Sequence, residues 1–328
     1  MTGAIDMHAH EYGGLVDALL ARRERPFVSR DAQGGLVLNA MTASTQMSPG
    51  YTDPAARLNW MDRNGVATQL VTFPGALGVD VLPIAEAAGA VAAFNDRLAQ
   101  LCATARGRFV GLGGLPLADP ARAAQEMRRL RRELRLVGAI LPGNYFLSVD
   151  STRALRPVLD AANECGALIM IHPGLMCSET APAPYPDSSV YRASVLNLQA
   201  SLAQMAMTAL AADLVETFPR ITFQLVNLGG TIPFVLERLE AVALSRPPHT
   251  PFPRARFRGL VYDCASLGPR ALELAVEVFG ADRVMFGSDY PIFAPEPALR
   301  AIEESRLSES QRALVRRGTA ERVLDRLL

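Results

Sequence analysis

The sequence predicts an α/β protein built as a (β/α)8 TIM barrel, a closed ring of parallel strands surrounded by helices. The 328 residues contain eight short apolar segments, each followed by helical sequence. Segments such as 167–171 are apolar almost throughout, as strands covered on both faces must be. The first strand ends in His8 and His10 instead of a Gly-rich turn, which argues against a nucleotide-binding doubly wound sheet.

Runs of apolar and β-branched residues that stop at glycine, proline or polar residues predict the strands. In chain order these strands cover 4–10, 66–73, 108–116, 137–141, 167–172, 221–226, 259–265 and 284–288. N-cap and first-turn proline signals, such as Asp53-Pro54 and Asp119-Pro120, predict several of the helices. The helices are expected over 16–25, 53–62, 84–105, 119–136, 151–164, 193–218, from 233 onward, from 269 to just before 280, and over 296–328.

Residues 31–52 form a polar, glycine-containing segment without a strong period. The segment is too long for an ordinary βα loop, and long loops in compact domains often serve as lids or binding loops. We therefore expect a long loop insertion at about 31–52. No linker-like change in composition divides the chain, so residues 1–328 are expected to form a single barrel domain.

Composition excludes several functional classes. Lys+Arg and Asp+Glu each total 33, so no basic excess indicates nucleic acid or a membrane surface as a partner. No apolar run approaches the ~20 residues that span a membrane, and Asp6 and His8 interrupt any signal-peptide pattern. The four cysteines are scattered without a CxxC pair, which favours reduced thiols and a cytoplasmic location.

Four side chains at predicted strand ends indicate a metal site. His8 and His10 alternate along the first strand and so point to the same face, while His172 and Asp289 close two later strands. The carboxyl ends of barrel strands meet at one mouth, so the four should converge there. Three imidazoles and one carboxylate suit one divalent ion, with zinc as the first choice and manganese as the second. The competing interpretation is that polar residues simply collect at barrel mouths.

These residues, with several further motifs, carry a family resemblance over almost the whole chain. The sequence resembles the amidohydrolase superfamily, in the branch typified by aminocarboxymuconate-semialdehyde decarboxylase. The motifs are Ile5-Asp6-Met7-His8-Ala9-His10, Met61-Asp62-Arg63-Asn64-Gly65-Val66, Arg108-Phe109-Val110-Gly111-Leu112, Ile171-His172-Pro173, Leu228-Gly229-Gly230 with Pro233 and Arg238, and Gly287-Ser288-Asp289-Tyr290-Pro291. The resemblance implies a barrel of the metal-dependent hydrolase type that acts on a small organic acid. It also implies metal-ligand roles for His8, His10, His172 and Asp289.

Two departures from the family pattern bear on mechanism. The family usually carries a proton-handling histidine where this chain has Asn227, and an amide cannot exchange a proton at neutral pH. The fourth histidine, His249, lies in a proline-rich stretch and is not expected to replace it. The characterised decarboxylase holds a substrate carboxylate with an arginine in its first long loop, but residues 34–52 contain no arginine or lysine.

Three functions remain open at this point. The first is a metal-dependent decarboxylase, or lyase, of a small aromatic or unsaturated acid, in which Asp289 protonates carbon. The second is a metal-dependent hydrolase or hydratase of an ester, lactone, amide or enone, with Asp289 as general base and Asn227 orienting water. The third is a non-catalytic barrel that binds metal, because Asn227 replaces the family histidine.

Further residues are expected near the mouth. Tyr12 follows the histidine pair, and Asn144 and Tyr145 follow the fourth strand, so all three are predicted to contact substrate, with ordinary loop packing as the alternative. Asp263, at the end of the seventh strand, is either an auxiliary base or the cap of the next helix. Arg238 matches a family arginine that can reach the substrate in a neighbouring subunit's site, with a structural salt bridge as the alternative. Together with the methionine-rich helical region after the fifth strand, Arg238 predicts a homodimer.

Overall fold

The barrel is described by a computed structural model that covers residues 3–41, 44–180, 191–294 and 296–328. Strands in these residues are β1 (Ala4–His10), β2 (Phe27–Arg30), β3 (Leu36–Asn39), β4 (Ser44–Gln46), β5 (Val66–Thr72), β6 (Phe109–Leu112), β7 (Gly138–Pro142), β8 (Leu168–His172), β9 (Thr222–Leu225), β10 (Val261–Asp263) and β11 (Val284–Met285). All except β2, β3 and β4 pair in parallel and belong to the barrel.

Two short contacts close the barrel strands into a ring. Strands β1, β5 and β6 form one hydrogen-bonded group, and β7 to β11 form the other. A parallel bridge between Gly113 and Ala139 joins β6 to β7, and a second bridge between Ala9 and Tyr290 joins β1 to the segment after β11. The Met7 amide also donates to the Phe286 carbonyl at 2.9 Å across this second join. The predicted (β/α)8 barrel is thus confirmed, although β11 is shorter than the 284–288 expected.

Helices follow the barrel strands and cover them. They are α1 (Val16–Leu20), α2 (Pro49–Thr52), α3 (Pro54–Arg63), α4 (Ile84–Thr104), α5 (Pro120–Arg132), α6 (Val149–Arg153), α7 (Arg156–Cys165), α8 (Leu198–Ala211), α9 (Leu214–Thr217), α10 (Ile232–Ser245), α11 (Pro269–Phe279), α12 (Glu296–Glu303), α13 (Glu309–Ala313) and α14 (Thr319–Leu324). The Asp53 and Asp119 side chains accept hydrogen bonds from the first-turn amides of α3 and α5, as predicted. Their capping explains why both helices begin where the Asp-Pro pairs stand.

Several predicted helices are shorter than expected or interrupted. The helix expected over 16–25 ends at Leu20, and the one expected over 151–164 is divided into α6 and α7. The one expected over 193–218 begins as a π-helix at Arg192–Asn197 and breaks at Asp213, whose φ of 50° is left-handed. The tail after residue 296 divides into α12, α13 and α14, with a π-helix at Leu314–Gly318 between the last two.

The expected loop insertion has regular structure that the sequence analysis did not predict. Strands β2, β3 and β4 form a small antiparallel sheet, and α2 follows it. The turn between β2 and β3 is held by Asp31, whose carboxylate accepts from the amides of Gln33 and Gly35 at 2.9 and 2.7 Å. We call strands β2, β3 and β4 the flap sheet. Met41 at its edge packs against Gly78, in the segment after β5.

The core lies inside the ring and between the ring and the helices. In β7 and β8 every residue is buried, which accounts for their continuous apolar sequence. Among the described residues, none of the helices has the length and apolar character needed to cross a membrane.

Candidate active site

Four side chains converge at the carboxyl ends of β1, β8 and β11. One nitrogen from each of His8, His10 and His172 and one carboxylate oxygen of Asp289 all lie within 4.8 Å of one another. The centroids of the three imidazole rings are 4.8–5.2 Å apart, and the rings meet edge to face. All four residues are buried. The predicted convergence of these four residues at one mouth is therefore what the structure shows.

Each histidine has its Nδ1 engaged on the side away from this cluster. His8 Nδ1 lies 3.1 Å from Asp263 Oδ1, His10 Nδ1 lies 2.7 Å from Thr72 Oγ1, and His172 Nδ1 lies 3.0 Å from the Pro173 carbonyl oxygen. The Thr72 hydroxyl donates to the Phe73 carbonyl at 3.0 Å, so it accepts from His10. These outer acceptors place the ring protons on Nδ1 and leave the Nε2 lone pairs for the cluster.

Burial and charge set the protonation of the cluster. Burial lowers the pKa of His8, but the carboxylates of Asp263 and Asp289 outweigh it and raise this pKa to about 9, so the two carboxylates favour a positive charge at His8 Nε2, either a proton or a metal ion that takes its place. Burial lowers the pKa of His10. Burial also lowers the pKa of His172, by more, and repulsion from the neighbouring His10 and His8 lowers it further. Burial would raise the pKa of Asp289, but the histidines keep it below the ordinary carboxyl value. Asp289 is therefore an anion at neutral pH.

The cluster fits a divalent cation. His8 Nε2 and Asp289 Oδ1 are buried and have no hydrogen-bond partner among the described residues. His10 Nε2 also faces Asp289 Oδ1, at 3.1 Å. Buried electron-rich atoms this close together are unfavourable unless a positive charge lies among them. The donor set of three imidazole nitrogens and one carboxylate oxygen suits zinc and related divalent metals.

Asp289 is held in place through its backbone. Its φ is 56°, in the left-handed region that non-glycine residues seldom adopt, and its amide donates to the His8 carbonyl at 2.8 Å. The preceding Ser288 is also fixed, because its amide and hydroxyl donate to the Asp6 carboxylate at 2.9 and 2.6 Å. The chain after β11 therefore presents Asp289 to the histidines of β1.

A buried polar network under the cluster was not predicted. The Arg57 guanidinium of α3 donates to Gln69 Oε1 at 2.8 Å, to the Gly50 carbonyl at 3.1 Å and to the His10 carbonyl. Gln69 in turn donates to Asp6 Oδ2 at 2.8 Å. Arg57 is only 2% exposed, and its guanidinium carbon lies 4.8 Å from the centroid of the Tyr290 ring. Arg57 thus ties together the ends of β1, the α2 segment and the chain after Asp289.

Asp263 was predicted to be either an auxiliary base or the cap of the next helix, and the prediction of a cap is wrong. Helix α11 begins at Pro269 with Gly268 as its N-cap, so Asp263 does not cap it. The Asp263 carboxylate instead accepts from Gln224 Nε2 at 2.9 Å, from the amides of Asn227 and Ala265, and faces His8 Nδ1. Such a carboxylate behind a ligating histidine orients the ring and raises its basicity.

Asn227 lies just after β9 in a tight turn with a φ of 51°. Its side-chain amide donates to the Ala265 carbonyl at 3.2 Å and to Ser266 Oγ at 2.8 Å. Both donor positions are thus used to hold the segment after β10. Any contact of Asn227 with a reacting group must use the carbonyl oxygen, which can only accept a hydrogen bond.

The predicted substrate-binding residues lie at different places. Tyr12 is buried, with its ring centroid 6.4 Å from that of His10 and 4.9 Å from that of Tyr51, an aromatic residue the sequence analysis did not single out. Asn144 donates to Glu179 Oε2 at 2.9 Å, a contact that fixes the segment after β8. Tyr145 is buried, and its hydroxyl accepts from the Cys177 amide at 3.4 Å.

Arg238, the remaining predicted site residue, is exposed on α10. It forms no hydrogen bond or ion pair within the described part of the chain. The structure of one chain therefore does not bring Arg238 to its own cluster.

Comparison with known proteins gives the family. The family model described as Amidohydrolase matches residues 5–326. The chain belongs to the amidohydrolase family. This amidohydrolase is 25% identical over 262 residues to 2-amino-3-carboxymuconate-6-semialdehyde decarboxylase of Dictyostelium discoideum, covering 77% of the chain and 71% of that relative. It is 27% identical over 289 residues to gamma-resorcylate decarboxylase of Rhizobium radiobacter, covering 81% of the chain and 85% of that relative.

A solved structure supports the fold of the amidohydrolase. The structure is dihydroxybenzoic acid decarboxylase from Polaromonas sp. JS666, with bound manganese and 2-nitroresorcinol. The TM-score is 0.74 at 20% identity, and the match covers 99% of this chain and 97% of that one. The resemblance inferred from the motifs and the expectation of an amidohydrolase-superfamily enzyme are confirmed.

Proposed function

We propose that this amidohydrolase is a metal-dependent decarboxylase, a lyase that releases CO2 from a small aromatic or unsaturated acid. The buried cluster of His8, His10, His172 and Asp289, with two atoms that lack partners, is the observation that carries the proposal. The curated relatives support it, because both are named as decarboxylases of small acids. A hydrolase or hydratase, and a non-catalytic metal-binding barrel, are the outcomes against which the proposal is tested.

His8, His10, His172 and Asp289 would hold one divalent ion. When bound, the ion would supply Lewis-acid polarisation of the substrate carboxylate and a neighbouring oxygen. Imidazole ligands favour zinc, whereas the Polaromonas structure contains manganese, so both metals belong to the proposal. Asp263, Thr72 and the Pro173 carbonyl keep the three rings turned with Nε2 toward the cluster.

Asp289 is the proposed proton carrier. It takes the carboxyl proton of the incoming acid and returns it to carbon as the bond to CO2 breaks, so the electron pair of that bond ends in the new C–H bond and the ring hydroxyl keeps its own proton. Asn227 cannot do this, because an amide does not titrate near neutral pH. Asn227 instead has a positioning role, because its side chain holds Ala265 and Ser266 in place beside Asp263.

The wall beside His10 is aromatic. Tyr12 and Tyr51 are both buried there, and their rings are 4.9 Å apart between centroids. In the proposed function they pack against the substrate and exclude water from the cluster, which strengthens the electrostatic interactions inside it. Asn144 and Tyr145 contribute from the turn after β7.

A homodimer in the cytoplasm completes the proposal. Large apolar side chains are exposed on the π-helix before α8 and on α10, including Leu196 at 67% and Phe234 at 80%. Apolar groups of this size, exposed together, are typical of protein–protein interfaces. Arg238 lies on the same α10 without a partner among the described residues, so a second copy would bring it to a neighbour's site. The four free cysteines agree with a reducing compartment.

The test combines metal analysis with a product assay. Protein purified without chelator should contain roughly one divalent ion per chain. Protein loaded with zinc or with manganese is then incubated with 2,6-dihydroxybenzoate, the ligand in a structure of a similar decarboxylase, and with other hydroxybenzoates. Release of CO2 with formation of the matching phenol is the expected result. His172→Ala, prepared in the same way, is the control that should lose the metal.

Other outcomes would replace the proposal. Hydrolysis of aryl esters or lactones without CO2 release from any acid would favour the hydrolase. Tight, stoichiometric metal binding without turnover of either substrate class would favour the metal-binding barrel. A protein that cannot be loaded with metal at all would remove the premise shared by the three functions.

A further inference from the structure

Asp80 is a buried carboxyl group that the reaction proposed above does not use. It lies between β5 and α4 and is 0% exposed. Neither carboxylate oxygen has a hydrogen-bond partner among the described residues, and no lysine or arginine of those residues forms an ion pair with it. The backbone amides of Asp80 itself and of Val81 lie nearby. They lower the pKa of the carboxyl group, but by less than burial raises it. A buried polar group without partners costs stability, so its retention calls for an explanation.

Two more polar side chains lie close to Asp80. The Tyr145 hydroxyl lies 3.4 Å from the Cys177 amide. The segment after β5, which carries Asp80, adjoins the segments of both residues, because a Cβ at Gly174 would lie 3.4 Å from the Gly75 carbonyl oxygen and 3.2 Å from the Pro142 Cβ. The Asp80 charge accordingly acts on the ionisation of both Tyr145 and Cys177. Tyr145 belongs to the turn Gly143–Phe146 that follows β7, and Cys177 to the segment that follows β8. Gly143 packs so closely on the His172 carbonyl oxygen that a Cβ there would lie 3.1 Å from it. This group is therefore at the same end of the barrel as the metal-ligand cluster.

All three side chains are uncharged at neutral pH. Burial raises the pKa of Asp80 to about 8, and burial also raises the pKa values of Tyr145 and Cys177. A protonated carboxyl, a phenol and a thiol can each donate and accept a hydrogen bond. An uncharged hydroxyl group has the same double capacity, whereas an ammonium group can only donate and would favour an ionised carboxylate.

We propose that Asp80, Tyr145 and Cys177 form a subsite that recognises a ring hydroxyl of the substrate. This subsite is separate from the metal-ligand cluster, which would bind the substrate carboxylate. We call the three residues the hydroxyl subsite. The inference rests on the proposed decarboxylase function, since it assigns a specificity group to the same mouth. The flap sheet contacts the segment that carries Asp80, because Met41 packs against Gly78, two residues before Asp80. Asp80 itself is fully buried, which increases the cost of leaving its carboxyl group without a partner.

The experiment measures binding of hydroxybenzoates to the metal-loaded protein by calorimetry at neutral pH. The reference ligand is 2-hydroxybenzoate, and the test ligands add a second hydroxyl at each free ring position. The wild type should prefer one of these by about tenfold or more, the typical effect of satisfying a buried polar group. Asp80→Leu should lose this preference and still bind the reference ligand. Asp80→Asn, which keeps a donor and an acceptor, should retain most of it.

Matched variants and ligands separate the possible failures. Asp150→Leu removes a carboxylate whose side chain is 88% exposed and should leave the preference unchanged. If the wild type binds no hydroxybenzoate, the proposed function fails and the subsite with it. If the wild type binds the reference ligand but Asp80→Leu keeps the wild-type preference at every ring position, the subsite is refuted while the decarboxylase stands. Preference for an aminomethyl substituent, which carries an ammonium group at neutral pH, over a hydroxyl would also refute it.

Discussion

His8 Nδ1 lies 3.1 Å from Asp263 Oδ1, although the two residues are 255 positions apart in the chain. Both side chains are fully buried. Asp263 is itself held by Gln224, whose Nε2 donates to the other carboxylate oxygen at 2.9 Å. The His8 ring therefore cannot rotate without breaking a chain of buried hydrogen bonds, and its Nε2 remains directed toward the metal-ligand cluster.

This contact predicts that Asp263→Asn weakens metal binding while the fold persists. Replacing a carboxylate behind a ligating histidine typically lowers metal affinity about 10–100-fold. The measurement is a titration against a chelator of known affinity, with circular dichroism as the check on folding. Asp282→Asn, at a surface ion pair with Arg258, is the control and should bind metal normally. Unchanged affinity in Asp263→Asn would show that the neighbouring strands alone orient His8.

Asn227 and Asp289 should differ sharply in their effects on turnover. Asn227→Ala removes the hydrogen bonds to Ala265 and Ser266 and should reduce the rate by no more than about 10²-fold, below the largest losses seen for a single donor. Asp289→Asn should nearly abolish turnover, because it removes both a ligand charge and the proton carrier. Asn227→His should bring no gain, since the turn is built around a neutral amide.

Turnover of these three variants must be compared at matched metal content. An active Asp289→Asn together with an inactive Asn227→Ala would reverse the two roles. Parent-like rates in all three variants would place the chemistry elsewhere in the mouth.

Arg57 should matter for stability more than its place on a helix would suggest. Arg57→Lys keeps the charge but loses the planar fork that reaches Gln69, Gly50 and His10 together. We expect a loss of about 2–3 kcal/mol in the free energy of unfolding, the range for hydrogen bonds to a charged group. Urea unfolding of the metal-loaded protein measures it. Arg63→Lys, on the exposed side of the same helix, should change this free energy little, and equal effects of the two variants would contradict the assigned role.

Asp80 should make stability depend on pH. Its pKa of about 8 in the folded protein lies above the ordinary value of 3.8, so the folded state keeps a proton that the unfolded state releases between these values. Its contribution to stability is complete at low pH and is lost as the pH rises toward 8, by at most about 1.4 kcal/mol per pH unit. Asp80→Asn should remove this component, which urea unfolding at several pH values would detect as a flatter profile. A profile parallel to that of the wild type would mean that Asp80 is ionised when folded.

The sequence was sufficient for the barrel and for the convergence of its polar strand ends. Residues such as Ile169 to Ile171 can be accommodated only in a strand covered on both faces, and the carboxyl ends of barrel strands must share one mouth. The sequence alone therefore places His172 and Asp289 at the same mouth as His8 and His10.

Other features depend on contacts between distant segments of the chain, which no local sequence pattern indicates. Arg57 has the sequence context of an ordinary helix surface, and only the packing of α3 under Tyr290 buries it. The direction of the Asn227 amide follows from its partner Ser266, which belongs to another barrel segment. The flap sheet did have a signal, since Asp31 and Gly34 form a turn between two β-prone segments, but the polar composition of the region obscured it.

The join between β1 and the chain after β11 unites Asp6 with Ser288 across 282 positions. During synthesis the edge of β1 must therefore wait for this partner until the whole intervening barrel has been made. His8 and His10 are made long before Asp289, so a polypeptide that stops before Asp289 cannot assemble all four ligands. Full metal occupancy would therefore mark molecules in which this join has closed, and metal-free protein in a preparation would include those in which it has not.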